Sequence, residues 1–257
     1  MIDLVLVVAR FLHYATSTTL AGVAFFPFYV YAGTEPERFA GWRNMLMLWS
    51  VVPALISGLA WFVFAVANMS GALADVADPK ILASVIRDTG FGVVWTVRMI
   101  VAATLVAVAL LQVSSKGSAG RDLLSWFLAA GLLASLAGAG HTQIEEGLTG
   151  VVHVSADAAH LLAAGAWLGG LVPFGFILLR YAETKAGPDA VDVDGVLMRF
   201  SGMGYAAVAT LVGTGVVNCW LLVGAVSSLF YSIYGQILMA KLAFFAGMFA
   251  LAVANRF

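Results

Sequence analysis

The chain has 257 residues, of which 62% are hydrophobic and 11% are charged, and its formal net charge is −1. Soluble domains carry about 25% charged residues, so this composition excludes an ordinary soluble domain and predicts a polytopic membrane protein. The near-neutral charge argues against nucleic acid as a partner. A single cysteine, Cys219, excludes an intrachain disulfide and any paired-cysteine metal motif.

Seven apolar segments approach or exceed the length of about 20 residues that crosses a bilayer. The first continues past Arg10 and His13 and lacks the basic start and cleavage site of a signal peptide, so we expect it to be retained as a helix. The predicted fold class is an all-α, polytopic transmembrane helical bundle of about seven spans in one domain, 1–257. The segments are Ile2–Tyr31, Trp42–Met69, Gly90–Val113, Leu123–Ala139, His153–Leu179, Leu197–Val226 and Gly235–Asn255.

A short amphipathic helix is predicted between the second and third spans. Asp78 is a suitable N-cap, and Pro79 would occupy the first helical position. Apolar residues recur with helical spacing at Ile81, Leu82 and Val85, so we expect this helix to lie on the membrane surface.

The positions of lysine and arginine predict the orientation. Basic residues favour cytoplasmic connections, and only Lys80 and Arg87 fall in the opposite set of connections. The pattern therefore predicts a periplasmic N-terminus and places Glu145, Glu146 and the start of the fifth span outside. The residues assigned to the cytoplasm are Arg38, Arg43, Lys116, Arg121, Arg180, Lys185, Arg199 and Arg256.

The chain also shows signs of an internal repeat. His13 is followed nine residues later by Gly22, and His160 is followed nine residues later by Gly169. Arg98 and Lys241 each lie six residues after a glycine that follows an aromatic residue. We therefore predict two parallel repeats of a four-helix unit, about 1–140 and about 141–257, with a site where the halves meet. By this pattern an eighth helix is absent.

The histidines are the principal candidates for chemistry. All four, His13, His141, His153 and His160, are predicted to lie in the outer half of the membrane. His153, Asp157 and His160 are separated by four and three residues, so on a helix they project from one face. Ionisable groups inside a membrane are costly and usually functional, and imidazole is the commonest metal ligand. This pattern indicates a metal site.

Several other groups could contribute to that site. Glu145 and Glu146 would attract cations to the entrance. Met69, Met99 and Met239 could supply soft ligands for Cu(I), although methionine more often fills gaps in a core.

Four motifs resemble the copper resistance protein D (CopD) family of bacterial inner-membrane proteins. They are the pair Gly140-His141, HVSADAAHLLAAGAWLGGLVP from His153, VNCWLLVG from Val217 and the run from Tyr234. The resemblance implies a non-enzymatic protein with about eight transmembrane helices that moves copper from periplasm to cytoplasm, often beside a periplasmic copper carrier. The matching positions for metal binding are His141, His153, Asp157 and His160, and we add His13 from its predicted depth.

Two alternatives remain open at this stage. His13 and His160, at equivalent repeat positions on parallel helices, could be the axial ligands of a b-type haem in a membrane oxidoreductase. Alternatively, the protein could bind copper only as a non-transporting membrane partner of a copper chaperone.

Overall fold

The computed structural model describes residues 2–114, 118–137, 147–180, 190–223 and 227–254. His141, Glu145 and Glu146 lie outside these residues. The internal contacts divide the chain into a first unit, Met1–Thr214, and a second unit, Gly215–Phe257. Within the described residues there are helices and no strands, so the predicted all-α class is confirmed.

Eleven α-helices occupy the described residues. They are α1 Ile2–Phe25, α2 Pro27–Val30, α3 Glu37–Ser70, α4 Pro79–Asp88, α5 Gly90–Ser114, α6 Ala119–Ala134, α7 Gly147–Ala164, α8 Leu171–Leu179, α9 Val193–Val223, α10 Ser228–Tyr231 and α11 Ile233–Ala254. Leu73–Ala77 forms a 3₁₀ turn before α4, and Gly165–Gly169 forms a π turn between α7 and α8.

Among the described residues, five stretches are long and apolar enough to cross a membrane, and all five overlap predicted spans. They are Asp3–Val30, Glu37–Ser70, Gly90–Ser114, Gly147–Leu179 and Val193–Leu222. The predicted fourth and seventh spans correspond to shorter helical segments, Ala119–Ala134 and the apolar part of α11, Gly235–Leu251. The protein is therefore a multi-pass membrane protein.

The short helix α4 begins as predicted. The Lys80 backbone N–H donates to Asp78 Oδ1 at 2.8 Å, which confirms the N-cap. Val85 is buried against Phe62 and Val66, and the rest of the apolar stripe packs on the same cluster. The stripe therefore contacts the bundle, and the position of α4 at the membrane surface stays a prediction.

The core of the first unit is formed by α1, α3, α5 and α6. Its fully buried residues are apolar side chains contributed by each of these four helices, so the core holds the four helices in one bundle. They include Leu20, Val23, Met47, Val51, Leu105, Leu132 and Leu133. A second cluster joins α2, α3, α8 and α9 through Val30, Phe39, Ile177 and Val196, with Phe174 stacked on Phe200 at 4.5 Å between ring centroids.

The fifth span packs very closely on α1. A Cβ placed on Gly22 would lie 2.3 Å from the backbone carbon of Gly169, and one placed on Gly169 would lie 2.3 Å from Thr18 O. Only glycine allows two backbones to approach this closely. The π turn lies at the crossing, so the interruption of the fifth span coincides with its closest contact to the first.

The second unit consists of the end of α9 with α10 and α11. The Ser232 hydroxyl accepts a hydrogen bond from the Gly235 N–H at 2.9 Å and so starts α11. Cys219, near the end of α9, is a free, partly buried thiol.

Candidate functional site

Helix α7 carries the three residues that the sequence places in a metal site. His153 is 2% exposed, and Asp157 and His160 are partly buried. Because α7 is a regular helix over Gly147–Ala164, their spacing keeps them on one face, as predicted. A buried imidazole near the start of an apolar span is costly, and the cost is reduced only by hydrogen bonds or a bound ligand.

Thr214 fixes the tautomer of His160. The Thr214 hydroxyl donates to Thr210 O at 2.6 Å, so at 2.9 Å from the imidazole its oxygen accepts from His160 Nδ1–H. The ring proton therefore lies on Nδ1, and Nε2 carries the lone pair. Metal-binding histidines typically donate their second N–H in this way.

His13 is fully buried, and both of its ring nitrogens form hydrogen bonds. Nδ1–H donates to Ala54 O at 2.8 Å, and the Ser57 hydroxyl lies 3.4 Å from the same nitrogen. Because a guanidinium can only donate, Nε2 must accept from Arg98 Nη2. His13 is therefore a neutral imidazole whose coordinating lone pair is occupied by Arg98.

Arg98 belongs to a cluster of cations and aromatic rings. Its side chain is 3% exposed, and its guanidinium carbon lies 5.6 Å from the centroid of the Trp61 ring. Arg10 lies 5.4 Å from the same ring. Arg98 Nη1 and Trp61 Nε1 are both buried, and neither has a hydrogen-bond partner in the part of the chain that the structure describes.

Tyr14 connects this cluster to α7. It follows His13 directly, and its hydroxyl lies within electrostatic range of Arg98, Asp157 and Arg10. The polar groups of α1 and α7 therefore share one region of the first unit.

The predicted metal ligands do not converge on a single point. Within the five described stretches, no three His, Cys, Asp or Glu side chains lie close enough together to hold a metal ion. His141, the fourth histidine, falls outside those stretches, so its part in the site stays a prediction. A haem held between His13 and His160 would require the bond from Arg98 to His13 to break.

Sequence reasoning missed the contributions of Thr214, Ser57 and Trp61. Thr214 and Ser57 are common helix-packing residues, and no local pattern distinguishes them. The general rule that polar groups inside a membrane seek each other could have paired His13 with Arg98, but it could not choose among the buried candidates.

A second polar cluster lies at the opposite end of the spans. Arg43 is 3% exposed and donates through Nε to Glu35 Oε2 at 2.9 Å and through Nη2 to Asp122 Oδ1 at 2.9 Å. Gln112 Nε2 also donates to Asp122, at 3.1 Å. The sequence placed Arg43 at the start of the second span, among the basic residues of the cytoplasmic side, and in α3 it bridges two carboxylates.

That cluster also perturbs Glu35. Burial raises the pKa of the Glu35 carboxyl above its usual value, and the neighbouring Arg43 only partly opposes this shift. Asp122 adds to the increase, because a second negative charge disfavours ionisation.

Comparison with known proteins identifies the family. A family model described as copper resistance protein D-like, N-terminal domain, matches residues 1–151, and one described as copper resistance protein D matches residues 194–257. No solved structure matches the chain.

Three relatives match almost the whole chain. Copper resistance protein D of Pseudomonas syringae pv. tomato is 33% identical over 255 residues, which is 98% of this chain and 81% of the relative. Inner membrane protein YebZ of Escherichia coli K12 is 29% identical over 96% of this chain and 82% of its own length. Copper transport protein CutJ of Bacillus subtilis 168 is 26% identical over 96% of this chain and 45% of its own length.

These names describe membrane proteins of copper resistance, copper transport or the inner membrane, and none of them describes an enzyme. They agree with the predictions of a non-enzymatic, multi-pass inner-membrane protein. The chain belongs to the copper resistance protein D family.

Proposed function

We propose that this protein binds copper ions at the outer side of the inner membrane and moves them toward the cytoplasm. The single observation that carries the proposal is the polar face of α7, on which His153, Asp157 and His160 line one side of an apolar span. Membership of the copper resistance protein D family supports copper as the cargo. We further propose that a periplasmic copper carrier delivers the ion.

The order of the groups along the chain supports an inward path. His141 and the acidic pair Glu145-Glu146 precede α7 and would capture the ion. His153 lies near the start of α7, and His160 lies seven residues further on, about 10 Å deeper at about 1.5 Å per residue. Successive sites of moderate strength suit transport, because an ion that is held too tightly cannot leave.

Each group has a distinct role in the proposed path. His160 Nε2 would ligate the ion, because the bond from Nδ1–H to Thr214 leaves the lone pair on that nitrogen. Asp157 would neutralise the ion as it passes between the two histidines. The buried cation Arg98, near Tyr14, would form an electrostatic barrier beyond this point. Passage beyond the barrier would require movement of the helices.

Radiocopper uptake into vesicles tests the proposal. We expect wild-type protein to take up copper faster than protein-free vesicles do, and His160→Ala to abolish the difference. Asp157→Asn should slow uptake more than it weakens equilibrium binding. Met203→Ala, on α9 and away from the α7 face, is the matched control. Copper binding without uptake would instead favour a non-transporting partner of a copper chaperone.

A further inference from the structure

Gly58 of α3 forms a notch that is filled by one side chain from α1 and one from α5. A Cβ placed on Gly58 would lie 2.5 Å from Met99 Cε, 3.0 Å from Met99 Sδ and 3.1 Å from His13 Cε1. The sulfur and the imidazole carbon are therefore about 6 Å apart at most. Both side chains are buried, with His13 at 0% and Met99 at 8% exposure.

The two groups are a suitable ligand pair for a soft ion. Thioethers select Cu(I) over harder divalent ions, and imidazole binds copper in either oxidation state. Methionine has three rotatable bonds, so its sulfur can approach the imidazole with a small change of rotamer. The missing side chain of Gly58 is what allows Met99 and His13 to approach each other at this point.

We propose that His13 Nε2 and Met99 Sδ form a cuprous-ion site at the Gly58 notch, and that Arg98 closes this site by donating to Nε2 when no ion is bound. The inference rests on the proposed copper path and deepens it, because it adds a buried binding site that selects Cu(I). The sequence offered Met99 as one of three possible soft ligands, and the structure adds its contact with the Gly58 notch beside His13.

Arg98 and a copper ion cannot occupy His13 at the same time. Both are cations, and Nε2 has one lone pair. The guanidinium already lies over the Trp61 ring, beside a cavity lined by Phe91, Val94 and Trp95 as well as Trp61. Moving the guanidinium toward these aromatic rings would break its bond to His13, whereas Arg98 Nη1 has no hydrogen-bond partner to lose among the described residues. Stacking on the rings would stabilise the displaced cation.

The notch lies near the residues that interact with the α7 face. Tyr14 follows His13 directly on α1 and lies within electrostatic range of Asp157. In the proposed path an ion would pass from Asp157 by way of the Tyr14 region to His13. His13 Nδ1–H is bonded to Ala54 O, so Nε2 is the ring nitrogen that could ligate the ion.

Cu(I) binding to the purified full chain under reducing conditions, followed by X-ray absorption of the bound copper, tests the site. We expect the wild type to show a copper–sulfur contribution, Met99→Leu to lose it, and Met203→Leu to retain it. Gly58→Ala should also lose it, because the added carbon fills the notch. Arg98→Gln should raise Cu(I) affinity, measured against a chromophoric Cu(I) chelator, on the order of tenfold, since it removes a charged competitor for Nε2.

The possible outcomes separate this inference from the proposed function. A sulfur contribution that is unchanged in Met99→Leu, or copper bound only by nitrogen and oxygen in the wild type, would overturn the His13–Met99 site and leave the α7 path standing. A wild-type chain that binds no copper would overturn both. Met99→Leu preserves volume and polarity closely, so the conclusion does not depend on the folding of the Arg98 variant.

Discussion

Gly22 of α1 and Gly169 of the fifth span lie backbone against backbone. The Cβ position of Gly22 is 2.3 Å from the Gly169 carbon, and that of Gly169 is 3.0 Å from Gly22 Cα. The sequence placed these two glycines at equivalent positions, nine residues after His13 and His160. Such a contact is what two parallel repeats would make near their common axis, although the repeat itself stays a prediction.

Gly22→Ala is expected to destabilise the protein. The added methyl group would overlap the backbone of the π turn and force the helices apart, which costs about 1–3 kcal/mol for typical overpacking. Gly131→Ala is the matched control, because the Cβ position of Gly131 in α6 has no atom within 4 Å. Thermal unfolding in detergent measures both. A Gly22→Ala protein as stable as Gly131→Ala would contradict the close crossing.

Copper affinity should depend on the α7 face and on Thr214. We expect His153→Ala and His160→Ala to weaken binding strongly, because each removes a ligand. Thr214→Val should weaken it by about tenfold, since the residue only orients His160. Met203→Ala should have no effect. Equal affinities for His160→Ala and Met203→Ala, measured by titration, would remove His160 from the site.

The orientation predicted from basic residues can be tested by labelling single cysteines. In a Cys219→Ser background, Lys80→Cys is expected to react with a membrane-impermeant maleimide added to intact cells, and Arg38→Cys is expected to react only after the membrane is opened. The reason is that Lys80 belongs to the sparse outer set of basic residues, whereas Arg38 belongs to the abundant cytoplasmic set. The reverse pattern would invert the proposed copper path.

Stability should depend on pH through Glu35. Its pKa is raised by burial in the folded protein, so folding takes up a proton in the pH range between the unfolded and folded pKa values. Its contribution to stability is full below the unfolded pKa and is lost as the pH rises through the folded pKa. We therefore expect the melting temperature of the wild type to fall across that window and Glu35→Gln to lose this dependence.

Glu37→Gln serves as the control for this experiment, because Glu37 is an exposed residue in the first turn of α3. A pH profile of Glu35→Gln that matches the profile of the wild type would show that another group titrates.

Removing Arg43 tests the same cluster by a measurement of stability at a single pH. Arg43→Met leaves two carboxylates at the site and should destabilise the protein by about 3–5 kcal/mol, as breaking a buried ion pair does.

Hydrophobicity predicted the helices because it acts over whole segments. The α4 cap was also predictable, since Asp78 and Pro79 act on backbone groups one or two residues away. The bond from Arg98 to His13 was not predictable, because it joins residues 85 positions apart and depends on helix rotation. The same reason explains the ion pairs of Arg43, because its partner Asp122 lies on another helix, 79 positions away.

The interruption of the fifth span was likewise not visible in the sequence. His153–Leu179 reads as one apolar segment, and the π turn at Gly165–Gly169 has no local signal beyond its glycines.

The candidate site could be predicted only as a helical face. Which ring nitrogen of His160 holds the proton depends on Thr214, 54 residues away.

The π turn determines the directions in which the side chains of α8 project relative to those of α7. A π turn contains one residue more than an α turn does, and one residue corresponds to a rotation of about 100°. Without it, the side of α8 that carries Phe174 and Ile177 could not face the aromatic cluster while His160 faces Thr214. The fifth span can therefore contact Thr214 through α7 and the aromatic cluster through α8, which an uninterrupted α-helix could not do with the same residues. Deletion of one residue in this turn would realign the span and uncouple ion binding from core packing.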